Sequence, residues 1–161
     1  MTLSPKDIEA GRDANMSQRA TRAIMRRLKK GSLTLHLPMP PNLTNPRNRS
    51  HWGAVHGAKQ KYYSACDLMQ KAGLLPAPPE VPFARVTLSS VMHLGHAMDD
   101  DNAMARHKWA LDWLKTRGYI AEDTKKHIEW AGIPGQVVKR KQDYTLAITI
   151  TPITPSRSAV A

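Results

Sequence analysis

Three consecutive aspartates, Asp99 to Asp101, open a cationic amphipathic segment in a chain that is otherwise poor in acidic residues. If this stretch is extended, the side chains of Asp99 and Asp101 project to the same side of the backbone. Together with a third carboxylate from elsewhere, they could hold Mg²⁺, which prefers oxygen ligands and keeps water molecules available for chemistry. The pattern is therefore compatible with a metal site that supports phosphodiester hydrolysis.

A second interpretation of the three aspartates is structural. Aspartate and asparagine are favoured at helix N-termini, where they cap free backbone N–H groups and meet the positive end of the helix dipole. One aspartate and one asparagine would suffice for that role, whereas this chain carries three aspartates followed by Asn102. Metal binding and helix capping both remain open on spacing alone.

A third metal-binding carboxylate is available in "GYIAEDTKKH", where Glu122 and Asp123 follow the cationic helix. A helix of about 16 residues is roughly 24 Å long. The helix alone therefore does not bring Asp123 near the aspartate triplet. The chain after Gly118 must return toward the start of the helix, which only the tertiary fold can ensure.

The formal net charge of +11 indicates an anionic partner. A basic surface attracts polyanions because bound phosphate releases condensed counterions. Nucleic acid is the favoured partner; anionic lipid and a basic protein with no anionic partner are the alternatives. No apolar run approaches the length of a membrane span, and the N-terminus has no hydrophobic signal region. We therefore expect a cytoplasmic protein with no membrane association.

The single cysteine, Cys66, excludes an intrachain disulfide and a cysteine-based zinc site. It lies among small and apolar residues, which predicts a buried structural thiol. The sequence also contains no phosphate-cradling glycine loop and no nucleotide-binding fingerprint. We therefore expect no nucleotide cofactor.

Cationic and aromatic residues are interleaved in "NPRNRSHWGAVHGAKQKYY", residues 45–63. This composition suits phosphate contact combined with stacking on bases or sugars. Trp52 and Tyr62 are either stacking groups or core residues. The basic residues expected to contact DNA are Arg47, Arg49, Lys59 and Lys61.

Apolar periodicity predicts both strands and helices along the chain. Two helices are expected to end at Gly73 and Gly118. Three strands are expected at 32–37, 84–93 and 143–151, and two shorter ones in "HIEWAGI" and "QVVKR", on either side of a turn at Pro134-Gly135. The helices are expected at 58–73 and 102–117.

The order of elements, roughly αβαβαββ, predicts a mixed α/β or α+β domain with helices packed on a small sheet. This domain is expected to span residues 32–151. Residues 1–31 form a basic N-terminal extension that is helical in part, and residues 152–161 form a flexible tail. Trp109 and Trp113 are too apolar to remain in water and belong either to the core or to a dimer interface.

Several motifs together resemble the RusA family of Holliday junction resolvases over about residues 32–151. The Asp-x-Asp-Asn pattern at 99–102 precedes a helix with "LDWL", then Gly118 and "EDTKKH". The first strand runs into "LPMPPN", "RNRSHW" follows, and "VVKRKQDYTLAITIT" is similar to the closing strand of the family. The resemblance implies a RusA-like fold and a homodimeric, Mg²⁺-dependent endonuclease, with Mn²⁺ as a possible substitute. Such an enzyme cuts four-way DNA junctions by paired nicks in recombination and repair.

The resemblance also assigns site residues by motif position. The acidic site of the family falls on Asp99, Asp101 and Asp123, with Glu122 as a neighbouring acidic group. The family carries an essential lysine on the helix, at a position where this chain has Ala105. The resemblance therefore points to Lys108 one turn later, with Arg106 as its competitor and as a DNA contact. An i,i+4 ion pair between Lys108 and Asp112 is the structural alternative.

Two other functions are compatible with the same sequence. A non-catalytic DNA-binding protein would use the aspartates only as helix caps. A metal nuclease could also act on other branched DNA, such as flaps or replication forks.

Overall fold

The computed structural model describes residues 31–42, 52–139 and 143–153. Its helices and strands all belong to one compact unit that begins at Leu33. Almost all of the predicted extension at 1–31 lies outside the described residues, as does the predicted tail beyond Ile153.

Five strands form one mixed sheet, which confirms the predicted α+β class. β5 lies between β1 and β2 and is antiparallel to both. β3 and β4 are parallel to β2 and pair with successive parts of it. The strands are β1 (Leu33–Pro38), β2 (Val86–Leu94), β3 (Ile128–Trp130), β4 (Gly135–Val138) and β5 (Thr145–Pro152).

Three helices accompany the sheet: α1 (Trp52–Lys71), α2 (Asp100–Arg106) and α3 (Lys108–Thr116). The parallel pairing of β2 with β3 requires a crossover connection, and α2 and α3 supply it. The single helix predicted at 102–117 is in fact two helices, α2 and α3, which meet at His107.

The start of α1 differs from the prediction, because the helix begins at Trp52 rather than at Ala58. The segment 38–53 is rich in turn-forming residues and was predicted to be a loop, and Gly53 and Gly57 each cost about 1 kcal/mol relative to alanine inside a helix. Val55 and Ala58 pack against the core, and this contact offsets the glycine cost. Tertiary packing thus overrides local propensity here.

Gly73 and Gly118 end their helices as predicted. Both have left-handed φ angles, of 72° and 78°, which glycine adopts without steric cost. After Gly118, the N–H of Tyr119 donates to the carbonyl of Leu114 at 2.9 Å, and Gly118 itself donates to Lys115 at 3.1 Å. This pair of bonds is a Schellman motif, which satisfies the last carbonyls of α3 and reverses the chain direction.

The core lies on one face of the sheet and is built by the predicted alternation. Buried side chains recur at every second position of β2, from Val86 to Leu94. Across the strands Leu88 is paired with Ile150, and Met92 with Leu146. Burying each large aliphatic side chain contributes about 1.5–3 kcal/mol.

Helices α1 and α3 complete the core. Trp109 and Trp113 are almost fully buried within the chain, which decides for core packing over a dimer interface. Cys66 is buried as predicted, and burial raises the pKa of its thiol to about 12. Tyr144 falls within the strand predicted at 143–151, where its side chain was expected to face the same way as Leu146; it lies just before β5 and is half exposed.

The turn predicted at Pro134-Gly135 ends one residue earlier, because Gly135 is the first residue of β4 and pairs with Val91.

Among the described helices, none combines the length and the apolar character needed to cross a membrane.

Candidate active site

The three aspartates lie where the chain passes from β2 into α2. Asp99 is the N-cap residue of α2, and its carbonyl oxygen accepts a hydrogen bond from the N–H of Ala103 at 2.9 Å. Among the described residues, its carboxylate makes no capping hydrogen bond. All three aspartates are exposed. Asp99 therefore has the backbone conformation of a cap without using its carboxylate as one.

The assumption that this stretch is extended is wrong, because Asp100 and Asp101 occupy the first turn of α2. Their negative charge meets the positive end of the helix dipole there. Asp101 precedes Met104 by three residues and Lys108 by seven. At helical spacing these three side chains share one face.

The loop that carries Asp99 is held in place by a side chain from β4. The Gln136 amide accepts from the N–H of Met98 at 2.9 Å and donates to the Met98 carbonyl at 2.8 Å. These two bonds imitate strand pairing on a segment that has left the sheet. Gln136 thus fixes the backbone immediately before the acidic triplet.

His107 forms the joint between α2 and α3. Its Nδ1 donates to the Ala103 carbonyl at 2.7 Å, and its Nε2 accepts from the Ser90 hydroxyl of β2 at 2.9 Å. The backbone N–H of His107 bonds instead to Met104 at 3.1 Å, three residues back, which tightens the turn. The ring edge packs on Trp130, with centroids 5.2 Å apart. This buried side chain therefore attaches the site helix to the sheet.

The chain after α3 turns back toward α2. This return is the condition under which Asp123 can take part in the site. Following the Schellman turn, the Tyr119 hydroxyl donates to the Pro76 carbonyl at 2.6 Å. Phe83 and Ile120 form a parallel bridge. These contacts redirect the chain so that Asp123 reaches the middle of the α2–α3 unit.

Asp123 and Lys108 line the same open cavity of about 280 Å³, together with Met104, Leu111 and Trp130. We call this hollow the acidic cavity. Lys108 is exposed, and within the described ranges no carboxylate lies within ion-pair distance of it. The structure therefore brings Lys108 to the same cavity as Asp123, the carboxylate that the resemblance assigns to the site.

The alternative pairing of Lys108 with Asp112 is not what the structure shows. Asp112 instead accepts from the Lys59 ammonium of α1 at 2.6 Å. Arg106 faces elsewhere, because its Nε donates to the Pro40 carbonyl at 2.6 Å. Burial of this guanidinium lowers the pKa of Arg106. Of the two cations proposed for the site, Lys108 is the one that shares a cavity with Asp123.

Lys115 ties Asp123 to its neighbour Glu122. Its ammonium lies 2.6 Å from Glu122 and 3.4 Å from Asp123. The hydrogen bond to Glu122 raises the pKa of Lys115. Partial burial alone would raise the pKa of Asp123, but its own backbone N–H and the Lys115 ammonium outweigh it and lower the pKa. Asp123 is thus held in its ionised form at neutral pH.

The chemistry of the three assigned aspartates fits a hard divalent ion, since Mg²⁺ and Mn²⁺ take carboxylate oxygens. Across residues 31–42, 52–139 and 143–153, no group of three or more His, Cys, Asp or Glu side chains is close enough to hold a metal. The structure thus brings Asp123 to Lys108, but does not gather it with Asp99 and Asp101 into a completed ligand set.

The predicted DNA contacts have different surroundings. Arg47 and Arg49 lie outside the described residues. Lys59 is bound to Asp112 and lies 5.4 Å from the centre of the Tyr63 ring, whereas Lys61 is exposed on the same helix.

The aromatic residues of this region also divide into two kinds. Trp52 is 77% exposed and stacks on His56 with ring centroids 5.3 Å apart. Tyr62 is buried in the core beside Trp109. Trp52 is therefore a candidate stacking surface, and Tyr62 is a core residue.

The residue around the acidic cavity that the sequence reasoning missed is Lys115. It follows Lys108 by seven residues, so helical periodicity places both ammonium groups on one face. That spacing was available in the sequence. What the sequence did not contain was the position of Glu122 and Asp123 opposite that face.

No protein-family model matches this chain, and no curated protein matches it.

Proposed function

We propose that the chain is a Mg²⁺-dependent endodeoxyribonuclease that resolves four-way DNA junctions by paired nicks, as a cytoplasmic homodimer serving recombination and repair. The observation that carries the proposal is the acidic cavity, which Asp123 shares with Lys108, the first residue of α3. The RusA-like fold is part of the proposal and rests on the motif resemblance over residues 32–151.

Lys108 supplies the positive charge in this mechanism. Lys108 lines the acidic cavity, and its ammonium is free of ion pairs within the described ranges. It can therefore meet a backbone phosphate and stabilise the negative charge that develops as the phosphodiester bond breaks. Leu111 and Trp130 form the apolar part of the cavity wall beside that charge.

Asp99, Asp101 and Asp123 would hold the metal ion. When bound, a divalent ion supplies the Lewis acidity for attack of water on the phosphate. Glu122 holds Lys115 more closely than Asp123 does, at 2.6 Å against 3.4 Å. Of the two carboxylates, Asp123 is thus the one whose contact with Lys115 is more readily exchanged.

The net charge of +11 supports a nucleic-acid substrate. Exposed cations bind phosphate with release of counterions, which makes the binding strongly dependent on salt. A homodimer would place two such sites about a two-fold axis, and a four-way junction has two equivalent strands to cut.

The test is cleavage of a synthetic four-way junction with end-labelled strands, in Mg²⁺ and in EDTA. We expect paired nicks that disappear in EDTA and fall by at least roughly 100-fold in Asp101→Asn and Asp123→Asn. Asp100→Asn is the matched control, because it removes the same charge from an adjacent exposed aspartate that the motif does not use. Lys108→Met should also lose cutting, and Lys126→Met should keep it.

Equal cutting by the wild type and by Asp101→Asn would end the proposal. Junction binding by each variant is measured in parallel by fluorescence anisotropy. Loss of cutting with retained binding assigns the aspartates to chemistry rather than to folding.

A non-catalytic DNA-binding protein is the second candidate. The lack of a three-carboxylate group among the described residues favours it. It predicts tight, salt-sensitive DNA binding with no cutting in Mg²⁺ or Mn²⁺. If the protein does cut, the ranking of junctions, flaps and forks by cleavage rate identifies the preferred branched DNA.

A further inference from the structure

A second cavity, of about 310 Å³, lies beside the segment that leads into the acidic triplet. Its walls include Gly95, His96 and Met98 after β2, Arg106 from the end of α2 and Tyr144 before β5. None of the lining residues within 31–42, 52–139 and 143–153 is acidic. We call it the Tyr144 pocket. Its size is at the lower end of the range of small-ligand pockets, roughly 300–1,000 Å³.

We propose that the Tyr144 pocket receives one unstacked nucleotide of a DNA strand, with its base on the Tyr144 ring and its phosphate on the Arg106 guanidinium. The assignment deepens the proposed function and rests on it for the identity of the ligand as DNA. The pocket and the acidic cavity lie on either side of the joint at His107, since Arg106 ends α2 and Lys108 begins α3.

Arg106 has the geometry of a fixed anion receptor. Its Nε donates to the buried Pro40 carbonyl at 2.6 Å, which orients the guanidinium plane. The two terminal amino groups form the other edge of the fork, and that edge matches two phosphate oxygens. A guanidinium oriented in advance loses less conformational entropy when it binds an anion.

Tyr144 supplies a ring surface that is half exposed, as a stacking platform requires. Gly95 allows the ring to lie where it does. A Cβ atom at residue 95 would stand 2.5 Å from the Tyr144 hydroxyl oxygen and 3.1 Å from the ring carbon that bears it. Another part of the pocket wall is held in place by Gln136, which bonds to the backbone of Met98 through two hydrogen bonds.

The experiment titrates the full-length protein, without metal, with deoxynucleoside 5′-monophosphates and separately with inorganic phosphate. Binding is followed by ¹H–¹⁵N NMR at the Gly95 amide and the Arg106 Nε–H. We expect saturable shifts at both groups with the nucleotide. Inorganic phosphate should bind at least roughly 5-fold more weakly, because base–aromatic stacking accounts for a factor of about 5 to 100.

Four variants separate the two halves of the pocket. Tyr144→Leu and Gly95→Ala should each weaken nucleotide binding by about 5- to 100-fold, and leave phosphate binding unchanged. Tyr144→Phe should keep nucleotide affinity, since it retains the ring. Arg106→Gln should weaken both ligands by about 10-fold or more. Lys126→Gln is the matched control for loss of one exposed positive charge.

Three results would overturn the pocket: no shift at Gly95, equal affinity for nucleotide and phosphate, or wild-type affinity in Tyr144→Leu. Because this assay contains no metal and no cleavage step, it fails independently of the junction assay. Nucleotide binding by a protein that cuts nothing would support the pocket while ending the nuclease proposal.

Discussion

Protonation of His107 should destabilise the folded protein, because this side chain is buried in its neutral form. Nδ1 already donates to the Ala103 carbonyl and Nε2 already accepts from Ser90. An added proton would make Nε2 a donor, so the Ser90 hydroxyl would have to turn and accept, and a positive charge would be buried. Burial lowers the pKa of His107, and the nearby Arg106 charge lowers it further, although the bond to Ala103 acts in the opposite direction. The folded state therefore binds this proton less readily than the unfolded chain does.

The sign and the size of the effect follow from linkage between protonation and folding. Above pH 6.5, the ordinary pKa of histidine, the His107 side chain is mostly neutral in both the folded and the unfolded protein, so its titration does not reduce the stability of the fold. Below pH 6.5 the unfolded chain gains the proton first, so stability falls with pH until the lowered folded-state pKa is reached. At pH 5.5 the loss has an upper limit of about 1.4 kcal/mol. For a protein of this size that corresponds to a fall in Tm of about 3–5 °C.

Urea unfolding at pH 7.5 and pH 5.5, for the wild type and for His107→Gln, measures this difference. The variant should be less stable at pH 7.5 by about 1–3 kcal/mol, because it disturbs two buried hydrogen bonds. Its stability should then fall less between the two pH values than that of the wild type, by up to about 1.4 kcal/mol. The other histidines are present in both proteins, so their titration cancels. Identical pH dependence in the two proteins would refute the reasoning.

Three further predictions concern α1 and its neighbours. Lys59→Met should cost about 0.5–1 kcal/mol of stability in urea unfolding because it breaks a partly buried ion pair, whereas Lys61→Met should leave stability unchanged. If Lys61 contacts DNA, Lys61→Met should also reduce the slope of log affinity against log salt by about 1. Trp52 should account for most of the tryptophan fluorescence that acrylamide quenches, so Trp52→Phe should lose that component; unchanged quenching would contradict its exposure. Asp67→Asn should destabilise the protein by about 1 kcal/mol because it weakens the bidentate pair with Arg117. The difference in stability between the wild type and this variant should vanish as pH falls through the lowered pKa of Asp67. A difference that persists at low pH would point to another cause.

The strands and the helix ends could be read from local patterns. Alternation of apolar residues predicted β2 and β5, and a side-chain period of two does place every second residue of β2 in the core. Glycine after an amphipathic run predicted the ends of α1 and α3, because left-handed backbone angles cost glycine nothing. These features depend on residues within a few positions of one another.

Packing between distant residues decided the features that the local patterns misjudged. The first turns of α1 contain Gly53 and Gly57, and Val55 and Ala58 attach these turns to the core. The joint at His107 depends on a hydrogen bond to Ser90, which lies on β2. Neither partner is visible in the local sequence, because each contact joins segments that are far apart along the chain.

By itself, the sequence determined the positive charge, the acidic triplet, the core faces and the α+β class, since all of these depend on composition and short-range periodicity. Only the tertiary structure decided that Asp123 lies beside Lys108, that Lys115 is shared by Glu122 and Asp123, and that Asp112 pairs with Lys59 instead of Lys108. The physical reason is the route of the chain. The reversal after Gly118 and the crossover between β2 and β3 bring these side chains together, and both depend on how the whole core packs.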